Sequence, residues 1–364
     1  MLGATVALWS VTNRLHGRRA AFFAAALFAI TGPTLHLGSF ATYDAMLVFL
    51  VALAAWLVVR AGDRQDATFW MVAAAVILVA ANATSYASAL FDPIVILLAL
   101  VIAFPKPGGK VAAARALALL GIVAALVTLG LLIGGSRYIH GVKATTLTRV
   151  AGADSVFTVL ADSWAWTGVI VIGAICGVVV SWISRPRHPQ TWLLTLVAAA
   201  VLLVPAEQAS LHTTASLNKH VALGLWFAAI AAGYAADKFA VAAPAGNMRT
   251  VTVGACVVAL SFPVSLGAGQ SSMFSASWPD SAGFMSVLRP LVDDSTGRLL
   301  VEDPTLAEYY LSAGTQWTRW SSTRNIILPS GASTGGPSAT AGVARLSRFR
   351  RRGLRRLPRP VGWR

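Results

Sequence analysis

Residues 20–59 read AAFFAAALFAITGPTLHLGSFATYDAMLVFLVALAAWLVV, and Asp44 is the one acidic or basic side chain among them, histidine aside. Two apolar runs flank a short polar connection, and neither run keeps the charged face of a helix at a protein–water surface. A bilayer core about 30 Å thick is crossed by roughly 20 such residues in a helix. Hydrocarbon offers no partner to a backbone amide, so the crossing elements must be helices. The alanine-rich run at 20–30 also permits close approach of one helix to another.

The same pattern recurs in both directions. Apolar runs broken by charge occupy 1–13, 20–35, 43–59, 68–82, 88–104, 113–134, 164–184, 191–206, 220–236 and 250–268. Of the 364 residues, 56% are hydrophobic and 12% charged, and the mean hydropathy is +0.68. A soluble domain carries about a quarter charged residues, so an ordinary water-soluble enzyme is excluded. The expected fold class is an all-α polytopic membrane protein with about ten transmembrane helices and a small outer α/β C-terminal segment. Cys176 and Cys256 lie inside apolar runs, which argues against a disulfide framework or a cysteine metal site.

The net charge of +15 is uneven: residues 343–364 hold nine of the 29 basic residues and none of the 14 acidic ones. Elsewhere the excess is small and spread over loops, so a nucleic-acid partner is not expected. Alternate connections are basic: Arg14, Arg18 and Arg19; Arg60 and Arg64; Lys106, Lys110 and Arg115; Arg185 and Arg187; Lys238 and Arg249. The positive-inside rule turns these toward the cytoplasm. Connections 34–43, 83–90, 135–163 and 207–219 then face outward, as does everything after 268. On that topology the first span starts outside, which leads us to expect a missing N-terminal helix and outer loop. The domain reading is 1–268 transmembrane, 269–328 extracytoplasmic α/β, and 329–364 a disordered basic tail. The tail's abrupt Arg, Pro and Gly richness resembles a GC-rich gene read in the wrong frame.

Ionisable groups gather at the outer boundary rather than at mid-membrane. Asp44, Asp92 and Glu207 sit at outer span ends, and His36, His140, His212 and His220 fall on the same side. A proton-coupled carrier would place such groups near the midplane. The densest cluster runs from His36 to Tyr43 and Asp44, where Asp44 is either a catalytic or metal-binding carboxylate or a helix cap. The second runs from Glu207 to Lys219 and His220, where Lys219 either meets a phosphate or snorkels to the interface. Arg137, Tyr138, His140 and Lys143 fall in the longest outer loop and suit an anionic headgroup. Asp92 precedes Pro93 and reads as a cap. Tyr43, Tyr86, Trp164 and Trp166 are sugar supports or interfacial belt residues. Phosphate-binding Walker loops and HExxH are absent from the sequence, and GxSxG occurs once, at 331–335 in the tail.

Three stretches resemble the bacterial branch of the GT-C glycosyltransferases, the family-39 and aminoarabinose-transferase-like proteins. RLHGRRAAFFAAALFAITGPTLHLGSFATYDAMLVFLVALAAWLVV, at 14–59, resembles the family's basic loop, helix, outer loop and Asp-led helix. SLNKHVALGLWFAAIAAGYA, at 216–235, resembles its late outer motif, although Val221 stands where Arg-Tyr often follows. WPDSAGFMSVLRPLV, RLLVEDPTLAEYYL and QWTRWSST resemble the outer C-terminal portion of actinobacterial members. The resemblance implies transfer of a sugar from a polyprenyl-phosphate carrier to a cell-envelope glycan, lipid or protein, in a mannosyltransferase-like reaction at a bacterial plasma membrane. It places the main base in a first outer loop ahead of these residues and gives Asp44 a supporting acidic role. Lys219, His220, Tyr43, His36, Arg137 and Glu207 become substrate-binding candidates. The resemblance fixes no cofactor, and a divalent cation fits the reading. Two rival readings are a flippase for a lipid-linked sugar and a non-catalytic fragment of a glycosyltransferase.

Overall fold

Every apolar run of the sequence is helical. The computed structural model describes residues 1–322 except 41, 63, 65, 106–107, 147–150, 243–246, 277–279, 294–296, 302–303 and 312–318. For residues 137, 144–145, 242, 247–260, 304–306 and 322 it describes the backbone only. Two compact units result, Met1–Ser277 and Trp278–Arg364.

The first unit opens with α1 (Leu2–His16) and α2 (Arg18–Ala29). They meet at Gly17, whose φ of 90° would strain any residue with a Cβ. After α2 the chain bends by 66° into α3 (Gly32–Ser39). Pro33 suits the first turn of α3, where no amide hydrogen is needed. The Thr31 hydroxyl returns a hydrogen bond to the Phe28 carbonyl oxygen at 3.1 Å, satisfying a group that the break releases. Next come α4 (Asp44–Ala61), α5 (Ala67–Thr84), a 3-10 turn at Tyr86–Phe91 and α6 (Asp92–Ala103). The remainder is α7 (Gly109–Thr145), α8 (Val156–Ser184), α9 (Pro189–Ala199), α10 (Leu203–Ser210), α11 (Leu217–Ala242) and α12 (Asn247–Ala276).

Among the described residues, seven helical segments are long and apolar enough to cross a membrane, and the bent α2–α3 pair makes up to eight. Of the ten expected spans, α1 has 15 residues, below a bilayer's length, and the side chains of 247–260 in α12 lie outside the described residues. Two expected loops are largely helical. Most of 34–43 belongs to α3, so His36 is a helix residue with 8% exposure. The 135–163 loop shrinks because α7 continues past a kink at Gly135, where φ is 67° and ψ −172°, as far as Thr145.

Central to the bundle is α11, 89% of whose best spanning window is buried. Lipid tails are as apolar as leucine, so packing rather than escape from water must hold such a helix among its neighbours. The run Ala228–Ala229 and Ala231–Ala232–Gly233 supplies that packing by being small. Gly233 lies against Ala20 and Ala24 of α2, and Gly177 of α8 lies against the Ala231 carbonyl. The two largest fully buried side chains of α11 are anchored: Trp226 donates its indole N–H to the Ala4 carbonyl oxygen at 2.8 Å, and Phe227 stacks on Phe91.

The basic connections meet at one end of this bundle. Arg14 and Arg60 line a common cleft, and Arg115 donates to the carbonyl oxygens of Ala61, Gly62 and Arg64. His16 pairs with Gln190, and Arg19 pairs with Asp237 at 2.9 Å. Asp44, at the start of α4, therefore belongs to the other end.

The second unit holds α13 (Ala282–Asp293), β1 (Leu299–Val301), α14 (Pro304–Leu311) and β2 (Trp320–Ser322). The strands are parallel, with Leu299 opposite Trp320, and α14 is the crossover that parallel pairing demands. Val292, Ala307 and Trp320 form its small core. The expected tail at 329–364 lies outside the described residues.

Candidate functional site

Asp44 is the first residue of α4 and is 2% exposed. The N-cap is Tyr43, so Asp44 does not serve as the side-chain cap that its position suggested. Its Oδ2 accepts from the Thr42 hydroxyl at 2.7 Å and lies 3.6 Å from Lys219 Nζ. Its Oδ1 lies 3.7 Å from His220 Nε2 and has no hydrogen bond among the described residues. Both partners ride on the opening turn of α11. A cation there opposes the helix dipole, typically by about 0.3–1 kcal/mol, and the Asp44 carboxylate offsets that cost. The pairing brings together residues 175 positions apart in the chain.

An aromatic wall adjoins this group. The His36 ring stacks on Phe40 with 5.0 Å between centroids and packs against Phe274 at 4.7 Å. Phe274 in turn meets Trp166 at 4.4 Å. Lys219 Nζ lies 6.0 Å from the Phe40 ring, within range of a cation–π attraction. Tyr43 keeps 62% of its surface exposed. Even so, desolvation, then the Asp44 charge and the Tyr86 phenol, push its hydroxyl above the ordinary phenol value. It remains a hydrogen-bond donor at neutral pH.

His36, Tyr43, Asp44, Lys219 and His220 thus converge. Glu207 sits on α10, where its Oε2 accepts from Gln208 at 3.1 Å. The side chain of Arg137 lies outside the described residues, whereas Tyr138, His140 and Lys143 occupy the helical stretch beyond the Gly135 kink rather than a loop. Trp164 is 55% exposed. Asp92 opens α6, but its Oδ2 accepts from Asn82 at 2.7 Å, and Asn82 Oδ1 accepts from Ser88. That small network was not expected, because an Asn within an apolar run carries no signal by itself. Thr42, Phe40 and Phe274 were also missed. Among the described residues, no three His, Cys, Asp or Glu side chains come together as metal ligands.

The approach to α11 is held by two connecting segments. The Asp154 carboxylate accepts from both the amide and the hydroxyl of Thr214, at 2.7 and 2.8 Å. Gly152 and Asp154 amides donate to the Leu211 and His212 carbonyls. The Thr214 side-chain bond, then its backbone bond, holds the Asp154 carboxyl below its ordinary value. With a depressed folded pKa, the bonds contribute above the unfolded value and are lost as pH falls through the folded one. Asp154→Ala is therefore expected to speed amide exchange at 212–216 at pH 7. An acid titration of the wild type should show the same loosening below the usual carboxylate range. Hydrogen-exchange mass spectrometry measures both, and unchanged exchange in the variant refutes the clamp.

No family model and no curated protein sequence matches the chain. Two crystal structures of the Archaeoglobus fulgidus oligosaccharyltransferase are similar in fold. One is tethered to an acceptor peptide containing the NVT sequon, with TM-score 0.53, 16% identity, and coverage of 85% of this chain and 47% of the other. The other is the apo form, with TM-score 0.52, 15% identity, and coverage of 90% and 49%. The chain has a GT-C fold. It spans about half the length of the oligosaccharyltransferase chains it matches. Within this GT-C bundle the Asp44–Lys219–His220 group lies at the end opposite the basic connections.

Proposed function

We propose that the protein transfers a sugar from a polyprenyl-phosphate carrier to an acceptor hydroxyl at the outer face of a bacterial plasma membrane, as family-39-like glycosyltransferases do. The observation that carries this reading is the buried Asp44 carboxylate facing Lys219 and His220 at one end of a GT-C fold. Supporting it is the alternation of basic connections, which turns this end outward by the positive-inside rule.

The sugar–phosphate ester is already activated. The acceptor oxygen bonds to the anomeric carbon, the bond from that carbon to the phosphate oxygen breaks, and the phosphate leaves on the lipid. The acceptor proton passes to a carboxylate. Lys219 meets the departing phosphate and lowers the barrier by matching its growing charge. Asp44 supports this by fixing Lys219 and His220, while His36 and Tyr43 border the sugar. Glu207 and Arg137 complete the proposed binding surface, with a cell-envelope glycan, lipid or protein as acceptor.

The test is transfer of radiolabelled sugar from synthetic polyprenyl-phosphate donors by the purified full chain in liposomes. Product with at least one donor, dependent on Lys219, supports the assignment. Lipid movement across the bilayer with no product would replace it by translocation.

A further inference from the structure

In the second unit, α13 begins where the Ala282 amide donates to the Asp280 carboxylate at 2.9 Å, and it runs for 12 residues. Met285, Leu288 and Val292 recur along it at three- and four-residue spacing. Met285 is buried, Val292 belongs to the unit's small core, and Leu288 packs against that core. This inner row accounts for the helix and for how it is held.

A second row has no such account. Phe284, Val287 and Leu291 each stand one position before a member of the inner row, so the two rows lie about 100° apart around the helix. They are 52%, 66% and 64% exposed. The remaining side of α13 carries Ser286, Arg289 and Asp293, so the exposed apolar row is a bounded face. Single exposed apolar residues are ordinary, whereas a row of three large ones on one helix face marks a surface that something covers.

Two observations select the occupant. The first is a tether. Residues 277–281 alone join α12 to α13, and α12 contains the apolar run 250–268, read above as a span. Six residue steps of extended chain reach roughly 20 Å, so a bilayer crossed by α12 stays within reach of α13. Tethering gives that bilayer a high effective concentration, so three side chains suffice where a free protein partner would need a far larger area. The second is charge. Arg289 and Asp293 cancel, and the row itself has none, which suits hydrocarbon and offers nothing to a charged partner.

We infer that α13 lies along the lipid surface of the membrane, with Phe284, Val287 and Leu291 among the upper acyl chains and Ser286, Arg289 and Asp293 toward water. This is the posture of an interfacial amphipathic helix. Because burial of the apolar row drives it, the docking is indifferent to headgroup charge and to salt.

The experiment places one nitroxide at a time on the full chain in phosphatidylcholine liposomes, in a Cys176→Ala/Cys256→Ala background. The inner set is Phe284→Cys, Val287→Cys and Leu291→Cys, and the outer set is Ser286→Cys, Arg289→Cys and Asp293→Cys. Dissolved oxygen favours the acyl region, and a nickel chelate stays in water. The ratio of oxygen to chelate collisions is expected to be about fivefold higher in the inner set than in the outer. Adding phosphatidylglycerol should leave that ratio unchanged. Equal, chelate-dominated collisions in both sets put the row in water and overturn the inference. Low collision with both quenchers in the inner set means that protein covers the row, and this too overturns it. A contrast that appears only with phosphatidylglycerol overturns it as well, because charge then does the docking.

A second arm needs no label. Val287→Glu alters an exposed side chain and leaves Val292, Ala307 and Trp320 in place. In phosphatidylcholine nanodiscs its amide exchange over 282–293 is expected to quicken about tenfold, while exchange at 299–301 holds and shows that the unit stays folded. Wild-type exchange over 282–293 in this variant overturns the docking.

Discussion

Asp44→Asn is expected to lower sugar transfer about a hundredfold, the scale on which losing one preorganised electrostatic group usually acts. The exchange is nearly isosteric and can keep the contact with Thr42, 2.7 Å away in the wild type. What goes is the negative charge that Lys219 and His220 face at 3.6 and 3.7 Å. Lys219 then loses its counter-charge in the first turn of α11, where the helix dipole already opposes a cation. Lys219→Ala should cost a comparable factor, and combining the two should cost far less than the product, since they act as one unit. Steady-state rates against donor concentration distinguish roles. A phosphate contact realised mainly as the leaving group departs lowers kcat, whereas a purely ground-state contact raises KM. Lys219→Arg should recover part of the rate. Wild-type transfer by both Asp44→Asn and Lys219→Ala would remove the site assignment and leave the fold untouched.

Gly177→Leu should prevent α8 from seating on α11 and yield protein that aggregates on extraction. A Cβ at Gly177 would overlap the Ala231 carbonyl oxygen, and a backbone atom cannot swing aside as a side-chain tip can. Overpacking a fitted interior costs about 1–3 kcal/mol for far milder intrusions. A folded membrane bundle has no compensating escape of apolar surface from water on separating its helices. Even Gly177→Ala is therefore expected to lower the melting midpoint in detergent. Gly121 on α7, with open space around it, is the control, and Gly121→Leu should melt as the wild type does. Matching midpoints for Gly177→Leu and wild type would show that the α8–α11 approach is looser than described.

The spans were legible because an apolar run is a local property, readable one window at a time. The failures came where local reading misleads. TLHLGS, at 34–39, was expected in a loop, yet it belongs to a half-helix that starts at Gly32, and His36 is buried beside Phe40 and Phe274. The Gly134–Gly135 pair reads as an end, whereas the chain only kinks there and resumes as helix. Asp44, Lys219 and His220 were each visible as polar residues at a boundary. Their meeting was not, because it depends on how α4 packs beside α11 across most of the chain. Phe274 escaped notice for a related reason: α12 was expected to end at 268, and it continues to Ala276. The three-residue strand at Trp320–Ser322 is too short for any alternation to announce it.

The contrast between α11 and α7 bears on how such a chain can drift over evolutionary time. In its best spanning window α11 is 89% buried, while the Gly109–Ser136 window of α7 is 17% buried and faces outward along most of its length. Exchanges within the apolar alphabet are close to neutral on α7, so its letters can scramble while its hydropathy stays fixed. On α11 nearly every face is spoken for by another helix, and a single added methylene is felt. Two descendants of one ancestor would come to share size at each position of α11 and only greasiness along α7. Overall identity can then sink very low while the architecture survives intact.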